Sequence, residues 1–91
     1  MNIIREKVPV VELLAGLAEE CCELAQEALK LRRVFDGSNP TPQSEEKAIE
    51  NLWEEIADVE LYLAHLDFPL ITISEIMQAK QKRWEEMLAE K

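Results

Sequence analysis

The sequence predicts an all-α protein in which long antiparallel helices form a bundle that is completed by oligomerisation. Apolar residues recur at steps of three and four along most of the chain, which is the spacing of one helix face. Aromatic residues make up 5% of the chain, only two glycines are present, and no segment shows the apolar/polar alternation of a half-buried strand. With 91 residues, the chain is expected to form one domain spanning residues 1–91.

Charge and hydropathy narrow the class of function. A net charge of −9 would be repelled by a phosphate backbone, so no nucleic-acid polymer is expected as a partner. No apolar run approaches the roughly 20 residues that span a bilayer, so no membrane partner is expected either. Cys21 and Cys22 are adjacent, a spacing at which disulfides form poorly. Free thiols in a helical pattern fit a reducing compartment, which predicts a cytoplasmic protein.

The first predicted helix starts near Pro9, a residue favoured in the first helical turn, and runs to about Arg33. Its predicted core stripe follows alternating steps of four and three: Val10, Leu14, Leu17, Cys21, Leu24, Ala28 and Leu31. A thiol on this stripe is expected to be buried and unreactive. The Gly, Asn and Pro content of residues 36–43 predicts a loop after the helix.

The second predicted helix starts at one of two N-cap candidates, Thr41 followed by Pro42, or Ser44. It runs to about Leu66, before Pro69. Its predicted core stripe is Ile49, Leu52, Ile56, Val59, Leu63 and Leu66.

The third predicted helix starts at a capping box formed by Thr72 and Glu75 and continues to the end of the chain. Leu13 and Leu61 fall outside the core stripes of the first two helices. They are expected to leave apolar surface uncovered, which favours self-association.

Two pairs of acidic residues have the spacing of a metal site. Glu20 and Glu23 share a face of the first helix, and Glu55 and Asp58 share a face of the second. Antiparallel packing would bring the four carboxylates together beside the core, where a cation is needed to offset their repulsion. A site of four carboxylates suits Mg²⁺, or Mn²⁺ in its place, better than zinc or copper. On spacing alone the ordinary alternative stays open, because 19 of 91 residues are acidic and such pairs arise readily on solvated helix faces.

A di-iron carboxylate site is not expected. Such sites use Glu-x-x-His pairs, and the only histidine, His65, has Tyr62 three residues before it. His65 is expected to be a surface or interface residue.

The stretches LAEECCELAQEALKLRR and NLWEEIADVELYL resemble the MazG-like branch of the all-α NTP pyrophosphohydrolase superfamily. That family carries EExxE on one helix and ExxD on the next, which here are Glu19, Glu20 and Glu23, followed by Glu55 and Asp58. The similarity extends over about residues 10–90. The segment between the two motifs is longer here than in compact members of the family.

The resemblance implies Mg²⁺-dependent hydrolysis of a nucleoside triphosphate to the monophosphate and pyrophosphate, in a homodimer or homotetramer. It implies that the metal ligands and catalytic residues are Glu20, Glu23, Glu55 and Asp58. Glu19 ranks below them because it falls on a more exposed helix position. House-cleaning of the nucleotide pool is one role that fits this activity.

Further residues are candidates for substrate binding. Asn51 and Tyr62 share the helix face of Glu55 and Asp58, which suits contacts with a phosphate oxygen and with a sugar or base. An ordinary helix-turn amide and a boundary tyrosine are the competing interpretations.

Basic residues form a second set of candidates. Similar proteins tend to place basic residues on the last helix, so Lys80 and Arg83 are expected to bind the triphosphate, with Lys30 assisting. Solubility and helix pairing are the competing interpretations. Trp53 and Trp84 can stack on a base, but packing at an interface between copies is favoured.

Two other functions compete with this enzyme. One is a non-catalytic helical module for oligomerisation or regulation that keeps the fold without turnover. The other is hydrolysis of a different phosphoanhydride, such as a dinucleotide or a sugar nucleotide.

Overall fold

The computed structural model describes residues 2–38 and 44–91, which form four α-helices. They are α1 (Ile3–Lys7), α2 (Val10–Asp36), α3 (Glu45–His65) and α4 (Leu70–Ala89). No strand occurs in these residues. The predicted all-α class is therefore confirmed.

The ends of α2 and the start of α3 follow local capping chemistry. α2 continues three residues beyond the predicted Arg33, to Asp36. It is capped by Gly37, whose φ of 69° is left-handed and whose N–H donates to the Arg33 carbonyl at 2.9 Å. α3 begins after Ser44, whose hydroxyl accepts from the Lys47 N–H at 3.1 Å, so this predicted N-cap is confirmed. The alternative start at Thr41 lies outside the described residues.

The start of α4 differs from the prediction. The helix begins at Leu70 directly after Pro69, whose ψ of 98° is extended. Thr72 and Glu75 therefore lie inside the helix, and the predicted capping box is wrong. The chain can turn into α4 earlier because Pro69 already interrupts the helical backbone.

The short helix α1 was not predicted. Asn2 caps it by accepting hydrogen bonds from the N–H groups of Ile4 and Arg5. The Arg5 guanidinium then ties α1 to the end of α3, donating to the Asp67 carboxylate at 2.7 Å and to the Ala64 carbonyl at 2.8 Å. α1 thus lies against the C-terminal end of α3.

Helices α2 and α3 form the only extensive helix–helix packing in the described part of the chain. Gly16 lies against Tyr62 near one end, and Glu23 lies close to Glu55 in the middle. Residue numbers therefore increase along α2 while those of the facing residues on α3 decrease, so the two helices run in opposite directions. The predicted antiparallel arrangement is confirmed for this pair.

The contact line between α2 and α3 differs from the predicted stripes. Leu13, predicted to be a surface residue, is only 4% exposed, whereas Leu61 is exposed as expected. Several predicted core residues are exposed instead: Val10, Leu14, Cys21, Ile56 and Leu63. The buried and half-buried positions of α2 form a line through Leu13, Gly16, Glu20, Leu24, Glu27 and Leu31. The predicted stripes are therefore confirmed in part: their remaining members, apart from the exposed Ala28, are buried or half-buried, namely Leu17, Leu24, Leu31, Ile49, Leu52, Val59 and Leu66.

The molecule is extended and leaves much apolar surface uncovered. Every residue of α4 is exposed, including Ile76 and Trp84. The radius of gyration is 17.0 Å, whereas a compact domain of this length has about 12 Å. This shape indicates that the chain oligomerises. None of the helices in residues 2–38 and 44–91 is both long and apolar enough to cross a membrane.

Candidate functional site

The acidic residues lie on the contact line itself, not beside it. Glu20 is half-buried on α2, and Glu55 and Asp58 are half-buried on α3, while Glu23 is exposed at the edge. Leu24 continues the same line of α2, one turn after Glu20. The packing of the two helices therefore holds carboxylates against each other at positions that usually carry apolar side chains.

Three of the four predicted carboxylates converge. One oxygen each of Glu20, Glu23 and Glu55 lies within 4.8 Å of the others. Asp58 is not part of this triad, but it is near enough to raise the pKa of both Glu20 and Glu55 electrostatically. We call these four residues the acidic cluster.

Two oxygens of the acidic cluster are buried without a hydrogen-bond partner in the described residues: Oε2 of Glu20 and Oε2 of Glu55. Buried polar atoms in folded proteins nearly always have a partner. An oxygen that accepts no hydrogen bond can be satisfied by a proton or by a cation. The arrangement therefore has unused acceptor capacity between the two helices.

The electrostatics of the acidic cluster favour protonation in the absence of a cation. Partial burial, followed by the charges of Glu23 and Asp58, raises the pKa of Glu20 to about 7. Partial burial is also the largest cause that raises the pKa of Glu55, and the Glu23 charge adds to it. Both effects penalise the charged form of the acid, because burial removes part of its hydration and the neighbouring charges have the same sign.

The donor set fits a hard divalent cation. The triad offers only carboxylate oxygens, which Mg²⁺ and Mn²⁺ prefer, and it includes no nitrogen or sulfur ligand. Glu20 and Glu55, each with one buried and unpartnered oxygen among the described residues, contribute to the triad from different helices. The residues present therefore fit Mg²⁺.

The predicted phosphate-binding residues lie in different parts of the chain. Lys30 is on α2 and pairs with Glu27 at 3.3 Å. Lys80 and Arg83 are on the exposed helix α4 and form no ion pair among the described residues. Within one chain, the structure does not bring Lys80 or Arg83 into contact with the acidic cluster.

Asn51 and Tyr62 lie on α3, on either side of the acidic residues. Asn51 is half-buried one turn before Glu55, and Tyr62 is half-buried one turn after Asp58. Both are therefore half-buried on the helix that carries Glu55 and Asp58, and their role in substrate binding stays a prediction.

Sequence reasoning missed the role of Gly16. A Cβ atom at this position would overlap the ring of Tyr62, so only glycine lets the ring lie against the backbone of α2. A glycine inside an amphipathic helix, one turn before a predicted ligand, was the available signal.

Sequence reasoning also missed Glu27, a further half-buried carboxylate. Glu27 lies one turn beyond Glu23, and its Oε2 is buried without a hydrogen-bond partner in the described residues. Its spacing of four from Glu23 was visible in the sequence.

Several minor expectations have mixed outcomes. Cys21 and Cys22 are both free, as predicted, but the expected burial of Cys21 is wrong because the thiol faces away from α3. Trp53 and Trp84 are exposed, which leaves both candidate roles open. His65 is half-buried, and its Nδ1 lies 3.3 Å from Asn2 Nδ2.

The chain has no recognisable relative in three comparisons with known proteins: no family model matches it, no curated protein matches it, and no solved structure matches it. Residues 2–38 and 44–91 form four α-helices, and two of these helices hold the carboxylate triad between them.

Proposed function

We propose that the protein hydrolyses a nucleoside triphosphate to the monophosphate and pyrophosphate, with Mg²⁺ held by the acidic cluster. The observation that carries this proposal is a triad of carboxylates from two helices, two of which, Glu20 and Glu55, each keep a buried oxygen without a hydrogen-bond partner among the described residues. The spacing of the cluster in the sequence, which resembles that of MazG-like enzymes, supports the same function.

Each acidic residue has a role in this proposal. Glu20, Glu23 and Glu55 would hold the cation, and Asp58 would complete the set from one turn further along α3. Bound Mg²⁺ supplies positive charge to the phosphate oxygens of the substrate. A cluster carboxylate that is not saturated by the ion orients the attacking water and accepts its proton. Little covalent work is required, because phosphoryl transfer depends mainly on positioning and electrostatics.

The triphosphate needs cationic partners beyond the metal. Lys80 and Arg83 are unpaired among the described residues and carry the donors that bind phosphate. Because α4 does not pack on the α2–α3 groove of its own chain, these residues act on the substrate only if assembly brings α4 to the groove. A homodimer or homotetramer is therefore part of the proposal. Lys30 is a weaker candidate because Glu27 already engages it.

A second candidate function is a non-catalytic oligomerisation or regulatory module. The observation that favours it is the continuous exposed apolar surface of α4, which needs a partner whether or not the acidic cluster binds metal. In that case the carboxylates are satisfied by protons alone.

The test is a pyrophosphate-release assay on the purified protein, with each ribo- and deoxyribonucleoside triphosphate and Mg²⁺. Wild type is expected to release pyrophosphate and monophosphate in equal amounts. Glu55→Gln keeps the shape of the side chain but removes a charged ligand, and a loss of about 100-fold in turnover is expected. Glu54→Gln is the matched control, since Glu54 is the exposed neighbour outside the cluster and should retain turnover.

Two results would decide against the enzyme. If no triphosphate is hydrolysed and Mg²⁺ produces no thermal shift, the module is supported. If only dinucleotides or sugar nucleotides are cleaved, the metal site stands but the substrate class is a different phosphoanhydride.

A further inference from the structure

A cavity of about 260 Å³ lies where α1 meets the ends of α2 and α3. It is lined by one residue of α1, the residue that follows α1, one residue of α2 and three of α3: Ile4, Val8, Leu13, Leu61, Tyr62 and His65. The lining is mostly apolar, and Tyr62 and His65 are its only residues with polar side chains. An apolar cavity that also contains a small number of polar groups is typical of a small-molecule site.

The cavity adjoins the acidic cluster. Tyr62 follows Asp58 by four residues on α3, roughly 6 Å or one helical turn along the axis. On α2 the lining residue Leu13 precedes Glu20 by seven residues, roughly 10 Å or two turns. A ligand in the cavity would thus lie at the end of the groove that holds the carboxylates.

Gly16 fixes the position of the Tyr62 ring at this end of the groove. Glycine is among the poorest helix formers, yet it occupies the interior of α2 at the point where the Tyr62 ring lies against the backbone. The absence of a Cβ atom is required for this placement, because any side chain would overlap the ring. The aromatic side chain that lines the cavity is therefore positioned by its neighbour on α2.

Helix α1 forms one wall of the cavity and is tethered there. The Arg5 guanidinium bonds the Asp67 carboxylate and the Ala64 carbonyl at the end of α3. Asn2 reaches the His65 ring from the same helix. These contacts hold Ile4 and Val8 over the cavity.

From this arrangement we propose that the cavity under α1 binds the nucleobase of the substrate, between Tyr62 and the aliphatic side chains of α1 and α2. The inference rests on the proposed function and adds the position of the base to it. The volume lies just below the roughly 300–1,000 Å³ of pockets for drug-sized ligands, which suits one heteroaromatic ring system. The sugar then spans the helical turn between the cavity and the acidic cluster, and the base edge hydrogen-bonds with Tyr62 or His65.

The test measures binding without turnover, using nucleoside 5′-monophosphates and ribose 5-phosphate as probes. Saturation-transfer NMR on the full chain in EDTA is expected to show contact with the base protons of at least one monophosphate. Ribose 5-phosphate, which has no base, is expected to bind more weakly by about tenfold. Comparable binding of both probes, or binding of neither, overturns the proposal.

Two variants locate the base. Leu61→Trp fills the cavity with a larger side chain and should weaken monophosphate binding by about tenfold. Leu29→Trp is the matched control, because Leu29 on α2 is 51% exposed, Leu61 is 53% exposed, and Leu29 does not line the cavity. Equal binding by the two tryptophan variants overturns the proposal.

Gly16→Ala provides a second variant that favours helix formation while displacing the Tyr62 ring. It should retain the wild-type circular dichroism spectrum and lose base contact in the NMR experiment. Unchanged base contact would contradict the role of Tyr62 in the cavity. None of these measurements involves hydrolysis, so the two proposals can fail separately. Base binding without pyrophosphate release would contradict the proposed hydrolysis but not the nucleobase site. Pyrophosphate release without base contact would contradict only the nucleobase site.

Discussion

At the scale of single residues, the central feature is the placement of carboxylates where two helices touch. Glu20 and Glu55 occupy positions on the α2–α3 contact line that would ordinarily stabilise the pair through apolar burial. Their charged forms are disfavoured there by partial burial and by the charges of Glu23 and Asp58, which raise the pKa of both residues. Folding and ligand binding are therefore coupled at this site, because a proton or a cation relieves the same repulsion.

The first prediction concerns pH. Because the pKa of Glu20 is about 7 in the folded chain and 4.5 in the unfolded chain, the folded state binds more protons between these values. Stability from this group is complete below its unfolded pKa and is lost as pH rises through its folded pKa. The raised pKa of Glu55 acts in the same direction. In EDTA, the melting temperature is expected to be higher at about pH 5.5 than at about pH 8.

Variants and Mg²⁺ provide the controls for the pH prediction. Glu20→Gln should flatten the dependence on pH, whereas Glu19→Gln, at the exposed neighbouring position, should keep it. Mg²⁺ competes with protons for the same oxygens, so its stabilising effect should be larger at about pH 8 than at about pH 5.5. A melting temperature that rises with pH in EDTA would contradict this account of the acidic cluster.

The sequence predicted the residues of the acidic cluster better than their environment. Spacing alone placed Glu20 with Glu23 and Glu55 with Asp58, since positions three apart share a helix face. It did not show that Glu20 and Glu55 lie on the contact line, because periodicity was counted over apolar residues. For the same reason Leu13 is buried although it was expected to be exposed, and Cys21 is exposed although it was expected to be buried. The Gly16–Tyr62 contact depends on which residues of two separate helices meet, which one periodic pattern does not specify.

At the scale of elements, the long helices were predictable and their terminal turns were not. Sustained apolar periodicity identifies α2 and α3. The end of α2 depends on Gly37 adopting a left-handed conformation, and the start of α4 depends on the backbone at Pro69. Helix α1 has only five residues, too few for periodicity to reveal. It is defined by the Asn2 cap and by the tertiary contact of Arg5.

The second prediction concerns the attachment of α1. Arg5→Ala removes both guanidinium bonds to the end of α3, so α1 should open more often. The pair with Asp67 is solvent-exposed, with side chains 41% and 70% accessible. The change in global stability should therefore be at most about 1 kcal/mol. The expected signature is faster hydrogen exchange of the Val8 amide, which bonds the Ile4 carbonyl across α1.

Lys7→Ala is the control for the attachment of α1. Lys7 is a cation of the same helix that forms no ion pair among the described residues. It should leave exchange at Val8 unchanged. Equal acceleration in both variants would mean that helix propensity, and not the Arg5 contact, holds α1 in place.

At the scale of the whole molecule, the single chain leaves too much surface uncovered for a compact domain. Its accessible area is 7477 Å², roughly 2,000 Å² more than a compact monomer of this mass exposes. A standard interface removes about 800 Å² from each partner. The excess is therefore large enough for more than one such interface, which agrees with the oligomer that the sequence predicted.

Helix α4 is the element that depends most on assembly. A helix of 20 residues without tertiary packing is marginal in water. One face of α4 forms a continuous surface that includes Met77, Trp84 and Leu88, with Lys80 between them. Partner packing on this face would both cover the apolar side chains and keep α4 helical.

The third prediction follows from that dependence. Wild type should elute from size-exclusion chromatography with light scattering at a mass of at least two 10.5 kDa chains. The double variant Met77→Glu with Trp84→Glu places charge on the covering face of α4 and should shift the mass toward one chain. Circular dichroism should show lower helicity at the same time, because α4 frays when it loses its partner.

Gln78→Glu is the matched control, since it adds charge to α4 outside that face and should keep both mass and helicity. A wild-type monomer with α4 fully protected from hydrogen exchange would contradict the prediction, because nothing within the chain packs on this helix extensively enough to protect it.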